Sequence, residues 1–265
     1  GEDNYENLPR RHAGAGVLIN TTPVGMWPDL EGAPVDLGLL PELTAVVDVI
    51  YNPGRTNLLL QAAERNLPCA GGLSMLAAQA KRAEELFFDK SISDGETEKM
   101  VSRLWRDRTN IVLVGMPGSG KTTVGRCLAG CSGKPFVDLD EEIIRKAGKP
   151  IPDIFAQEGE DAFRKLEHAV LTEACAKSGQ IIATGGGAVL RPENRAAMRR
   201  TGRVYQLRRR LEDLPTEGRP LSRAGTLEEM ARVRGPLYGA AADVSVLNDT
   251  RPEETAQEIW RDFCG

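Results

Sequence analysis

Apolar positions along this 265-residue chain follow two rhythms, and their alternation predicts the architecture. Short runs rich in β-branched residues read as buried strands: 17–20, 45–51, 110–114, 135–140, 180–184, 203–207 and 244–247. Between them, apolar residues recur at helical spacing over 56–66, 74–88, 98–108, 122–131, 141–147, 151–157, 160–177, 226–238 and 252–263. In the second half strands and helices alternate regularly, which implies a parallel sheet covered by helices on both faces. The first half holds two strands and two helices, too few for a complete doubly wound sheet. The polar stretch 89–97 reads as a linker, so the expected domains are 1–95 and 96–265. The fold class is α/β in both: a parallel sheet with helices on both faces, preceded by a partial α/β domain.

Composition narrows the chemistry. Apolar residues make up 41% and charged residues 27%, ordinary for a globular protein. A net charge of −4 gives no electrostatic case for nucleic acid or an anionic membrane, so anionic ligands must be held by local clusters. The five cysteines (69, 127, 131, 175 and 264) are odd in number and lack paired metal spacing, which suits reduced thiols in a cytoplasmic protein better than zinc. No apolar run reaches membrane-spanning length and no signal peptide opens the chain. Because residue 1 is Gly rather than Met, a natural start upstream is expected.

The candidate chemistry begins at Gly115-Met116-Pro117-Gly118-Ser119-Gly120-Lys121-Thr122, a phosphate-binding loop set between a strand and a helix. Its glycines let backbone N–H groups close around phosphate oxygens, and the helix N-terminus adds partial positive charge. Lys121 can reach the outer phosphates and the Thr122 hydroxyl can ligate Mg²⁺. ATP or GTP is the expected ligand. Asp138 and Asp140 alternate about Leu139 at the next strand end, where one would serve Mg²⁺ and the other an acceptor hydroxyl; alternatively, Asp140 caps the following helix. Arg164 and Glu167 share a helix face, as a surface ion pair or as a held arginine gripping an anion. Gly185-Gly186-Gly187 follows a buried strand and offers unobstructed backbone N–H groups, unless it is only a turn. Arg219 stands in the turn-rich segment 214–221, suited to close over a nucleotide, and Arg234 is a second candidate carboxylate ligand. Phosphate loop, carboxylates and glycine triplet all fall at carboxyl ends of strands, where such sheets bind ligands.

In order, the segments GMPGSGKTT, DLD, FRKLE, GGGAV, GRPLS and RGPLY resemble the shikimate kinase family over residues 110–263. The resemblance implies ATP- and Mg²⁺-dependent phosphorylation of the 3-hydroxyl of shikimate. Carried over, Lys121 and Thr122 handle phosphate and metal, and Asp138 assists the metal. Asp140 holds the acceptor hydroxyl, Arg164 and Arg234 grip its carboxylate, Gly186 lines the substrate, and Arg219 covers the phosphates. The segment between Leu207 and Arg219 looks shorter than in many members, and its adenine-side arginines cannot be matched. Other readings are a kinase of gluconate or a nucleoside monophosphate, and a nucleotide-binding scaffold without turnover.

In the first half, INTTPVGMWP, VVDVIYNPGRT and GGLSMLAAQA are similar to the C-terminal third of shikimate dehydrogenase, over residues 15–88. By that resemblance Tyr51 and Gln79 match substrate-contacting positions, while Val49, Gly72 and Met75 line the nicotinamide side. The family's catalytic Lys and Asp belong to a domain without a counterpart here. Gly14-Ala15-Gly16 precedes a strand instead of opening a helix, so it reads as a turn. NADP is expected only with a further dehydrogenase segment, which the exposed sheet edges would contact; otherwise the remnant serves for docking or dimerisation.

Overall fold

The computed structural model describes residues 4–214 and 227–265, and the chain divides into two compact units, Gly1–Asp107 and Arg108–Gly265. In the first unit a short helix α1 (Leu8–Arg11) precedes β1 (Val17–Asn20), β2 (Ala45–Asp48), α2 (Asn57–Glu64), β3 (Cys69–Ala70), α3 (Leu73–Phe88) and α4 (Asp94–Arg108). The strands form a parallel sheet in the order β1-β2-β3. Leu37, Leu40, Val46, Leu58 and Ala62 pack as its core, each fully buried. Under them Asp48 is satisfied by Asn20 Nδ2 (3.0 Å), Ile50 N–H (3.1 Å) and Thr56 Oγ1 (2.6 Å), so its burial strands no charge. The Asp48–Ile50 turn also ends β2 three residues before the expected Tyr51. On β1, Val17 and Ile19 remain 54% and 58% exposed, the uncovered face expected of a partial sheet.

The expected linker is largely structured. Asp89, at φ 48°, ends α3, and Ser93 and Glu96 then cap α4 reciprocally: Glu96 N–H donates to Ser93 Oγ and Ser93 N–H to Glu96 Oε2, both at 3.2 Å. Helix α4 therefore starts at Asp94, where Lys81 of α3 reaches the carboxylate at 2.6 Å. The division between units falls after Asp107, one helix beyond the position near 95 read from composition.

The second unit comprises β4 (Asn110–Val114), α5 (Lys121–Ser132), β5 (Phe136–Asp138), α6 (Leu139–Ala147), α7 (Ile151–Ala176), β6 (Ile181–Ala183), α8 (Pro192–Thr201), β7 (Gly202–Arg208), α9 (Leu227–Ala241), β8 (Val244–Leu247) and α10 (Pro252–Cys264). Its sheet is parallel with the order β5-β6-β4-β7-β8. All five residues of β4 are buried, as a central strand covered on both faces requires. Helix α7 is broken at Gly159 (φ 81°, ψ 174°), where the sequence predicts two helices. Helix α8 goes unpredicted: among its ten residues only Ala197 and Met198 are buried apolar side chains, so its amphipathic signal is weak.

Candidate active site

β4 runs directly into the phosphate loop, and the loop's backbone explains its glycines. Gly115, Gly118 and Gly120 sit at φ 148°, 83° and 94°, conformations that disfavour other L-residues. Lys121 opens α5 and folds back over the loop, its Nζ donating to the carbonyls of Gly115 (2.8 Å) and Met116 (2.9 Å). Ser119 Oγ is buried without a hydrogen-bond partner among the described residues. A buried hydroxyl left open beside converging backbone N–H groups suits an anion's oxygen.

The carboxylates are divided differently from the expectation. β5 stops at Asp138, whose side chain caps α6 by accepting from Asp140 N–H at 3.0 Å. The pair are therefore not two strand residues on one face, and Asp138 rather than Asp140 is the cap. The other oxygen of Asp138 accepts from Thr122 Oγ1 at 2.7 Å, placing a hydroxyl and a carboxylate together at the start of α5. Asp140, in the first turn of α6, lines the same cavity.

That cavity has a volume of about 460 Å³ and gathers the elements' carboxyl ends. Its lining includes Pro117, Gly118, Gly120, Lys121, Thr122, Asp138, Asp140, Arg164, Gly185, Gly186, Gly187 and Arg234, so most sequence-predicted site residues share one space. Gly115 and Ser119 lie in the loop behind the lining. Arg219 lies outside the described residues.

Arg164 and Glu167 are not a surface pair. Their side chains are 8% and 2% exposed, joined at 2.8 Å through Arg164 Nη1, and Glu160 Oε1 accepts from Arg164 Nη2 at 3.1 Å. Burial raises the Glu167 pKa despite the lowering influence of Arg164. The glycine triplet fits against this pair by size alone. A Cβ at Gly187 would stand 2.2 Å from Arg164 Nη1, and one at Gly185 would stand 2.9 Å from Asp140 Oδ1. At Gly186 it would meet Pro117 at 2.7 Å, so the triplet packs closely against the phosphate loop. The Gly186 carbonyl accepts from Arg234 Nη1 (3.3 Å) and Tyr238 Oη (2.5 Å). Burial pushes the Tyr238 hydroxyl up to about 12, which keeps it a donor through the neutral range.

Several of these partners escaped sequence reading. Glu160 and Tyr238 stand four residues from Arg164 and Arg234 on their helices, a spacing that was available as a signal. Asn248 follows β8 and is buried; its Nδ2 donates to Ser119 O at 2.7 Å, while Thr255 Oγ1 donates to its Oδ1 at 2.9 Å. It thereby ties the phosphate loop to α10. Arg209, just after β7, also lines the cavity.

The dehydrogenase-like positions occupy the first unit. Val49 follows β2, and Gly72 N–H donates to Ile50 O at 2.9 Å. A Cβ at Gly72 would fall 1.9 Å from the Val49 carbonyl, so only glycine fits there. Tyr51 and Met75 are 45% and 44% exposed, and Gln79, one turn beyond Met75 on α3, is exposed too.

Comparison with known proteins now bears on this geometry. Residues 117–263 match the shikimate kinase family. A shikimate kinase from Symbiobacterium thermophilum is 48% identical over 153 residues, covering 54% of this chain and 88% of that protein. The structure of Acinetobacter baumannii shikimate kinase in complex with shikimate is similar with a TM-score of 0.55 and 35% identity, covering 60% of this chain and 95% of that one. Shikimate dehydrogenase 1 from Peptoclostridium difficile is 30% identical with a TM-score of 0.35, covering 38% of this chain and 36% of that one.

Proposed function

Because the chain belongs to the shikimate kinase family, matched over residues 117–263, we propose that it transfers the γ-phosphoryl group of ATP to the 3-hydroxyl of shikimate. The observation that carries the residue assignments is the single cavity shared by Lys121, Thr122, Asp138, Asp140, Arg164, Arg234 and the glycine triplet. Backbone N–H groups of Gly118, Gly120 and Lys121, with the open Ser119 hydroxyl, cradle the nucleotide phosphates. Lys121 exchanges its two carbonyl partners for phosphate oxygens when they arrive. The hydroxyl–carboxylate pair of Thr122 and Asp138 is the oxygen donor set that Mg²⁺ prefers, and these two residues would hold it. The ion supplies neutralisation of phosphate charge.

At the other end, Arg164 is held in one orientation by Glu160 and Glu167, so its remaining N–H edge is positioned for a carboxylate. Arg234 approaches from α9 with its position fixed at Gly186 O. Between the ends Asp140 orients the acceptor hydroxyl toward the γ-phosphorus and takes its proton as the new P–O bond forms and the bond to ADP breaks. Arg219 is assigned from sequence alone to cover the phosphates.

The test is ADP release by the full chain with shikimate, gluconate or AMP as acceptor. Turnover with shikimate alone is expected, and turnover with gluconate or AMP in its place overturns the acceptor assignment. NADPH consumption followed in the same sample is expected to be absent, since the Gly14–Gly16 turn leads into a strand and offers no helix N-terminus to a pyrophosphate. Reduction of 3-dehydroshikimate by these 265 residues would overturn that expectation.

A further inference from the structure

Among the described residues, four cationic side chains line the cavity, and three of them are already committed to protein groups. Lys121 rests on the Gly115 and Met116 carbonyls, Arg164 on Glu160 and Glu167, and Arg234 on the Gly186 carbonyl. Arg209 makes no hydrogen bond or ion pair with any described residue, and its side chain is exposed at the cavity wall. An exposed guanidinium at a cavity edge can turn toward an incoming anion without first breaking a bond to a described residue.

Its place in the sheet decides which end it serves. β7 pairs with β4 so that Gln206 stands opposite Val114, immediately before the phosphate loop. The Leu207 carbonyl lies so near Gly115 that a Cβ there would come within 2.5 Å of it. The Arg208 carbonyl accepts from Asn248 N–H at 2.7 Å, and the Asn248 side chain in turn holds Ser119 O. Residue 207 thus lies against the start of the loop and residue 208 is joined to it through Asn248, and Arg209 is the next residue. The acceptor-end arginines come from α7 and α9 instead.

We propose that Arg209 is a phosphate-binding residue for the nucleotide, closing its planar fork on oxygens of the outer phosphates from the β7 side of the loop. The proposal rests on the nucleotide reading of the loop and is independent of which acceptor is phosphorylated. Arg209→Ala, Arg209→Lys and Arg210→Ala variants of the full chain separate the possibilities. Arg210 carries the same charge one residue further on, has Glu212 at 3.8 Å and does not line the cavity.

ADP binding with Mg²⁺, measured by calorimetry, is expected to weaken on the order of tenfold in Arg209→Ala, with KM for ATP rising in parallel. KM for shikimate should stay at its wild-type value. Arg209→Lys should fall between, since it keeps the charge and loses the fork, and Arg210→Ala should bind as wild type. Arg209 is exposed, so the unfolding midpoint should not move. Equal ADP affinity in wild type and Arg209→Ala overturns the proposal, as does an equal loss in Arg210→Ala, which would mean a diffuse field instead of a contact. A rise in shikimate KM alone would reassign Arg209 to the acceptor end. A wild-type chain that binds no ADP would overturn the nucleotide reading itself.

Discussion

The two ends of the cavity are built from different materials. The phosphate end is mostly backbone: a loop at positive φ, a helix N-terminus and a lysine resting on carbonyls. The acceptor end is mostly side chain: a buried Arg164–Glu167 pair, a second arginine and three glycines shaved down to admit them. Backbone groups recognise phosphate through geometry that any nucleotide shares. Side chains buried in fixed pairs recognise one arrangement of carboxylate and hydroxyl, so specificity should reside at the acceptor end and affinity for nucleotide at the other.

The sharpest way to break this division is to remove one charge from each side of the reacting centre. Lys121→Ala should reduce kcat by about 10³ or more and weaken ADP binding as well, because it removes charge from the phosphate end. Asp140→Ala should cost a comparable factor in kcat while ADP affinity stays at the wild-type level. Rapid-quench turnover and calorimetric ADP titration on both variants distinguish the ends. An Asp140→Ala protein that turns over at nearly the wild-type rate would remove Asp140 from the mechanism.

Arg164→Ala should act on KM for shikimate, raising it by about 10–100-fold with ADP affinity unchanged. Some loss of stability accompanies it, because Glu167 is left buried without its closest cation. Steady-state kinetics at saturating ATP check the first effect and thermal unfolding the second. Unchanged shikimate KM would mean that the pair is structural only.

How much of this was legible before the fold is uneven, for a physical reason. Phosphate loops are contiguous, so strand, glycines, lysine and threonine could be read from one segment. The parallel sheet with helices on both faces followed from the alternation of patterns, whereas the order of strands, and with it the central position of β4, came only with the fold. What escaped was contact between distant segments: Asn248 on Ser119 and Leu207 against Gly115 exist only because β7 and β8 lie on that side of β4. The Asp138–Asp140 segment was read with the wrong period. Its alternating apolar Leu139 suits a strand as well as the first turn of a helix, and only the cap from Asp138 to Asp140 N–H decides between them. The linker was misread for a related reason, since a polar capping box looks like a loop until its reciprocal bonds are seen.

Asn248→Asp sharpens the comparison from the phosphate side. It replaces an N–H donor with an oxygen facing the Ser119 carbonyl, 2.7 Å away in the wild type. A repelled loop should bind ADP more weakly, by about tenfold, with shikimate KM nearly unaffected. Asn248→Ala should be milder, since the carbonyl then loses a partner without gaining a repulsion. If the aspartate variant binds ADP as tightly as wild type, the loop holds its shape without α10.

Glu167→Gln makes the smallest change and asks what the buried charge is for. Burial raises this carboxyl above the ordinary glutamate value of 4.5, so the folded protein binds its proton more tightly than the unfolded chain does. The sign follows: the group's favourable contribution is complete below 4.5 and is lost as pH rises through the raised value. Above that raised value the wild type carries a charge that its surroundings disfavour, and glutamine carries none. Glu167→Gln should unfold at a temperature equal to or above that of wild type once pH exceeds that raised value, with the difference shrinking on acidification. Its shikimate KM should nevertheless rise, by about threefold, because the charge that aligns Arg164 is gone. Wild-type KM should drift the same way as pH falls through the raised value, and the variant's should not. Should the variant prove less stable than wild type above that value, attraction to Arg164 outweighs burial and the pair stabilises the fold; should KM stay flat as well, Glu160 alone is enough to orient the arginine.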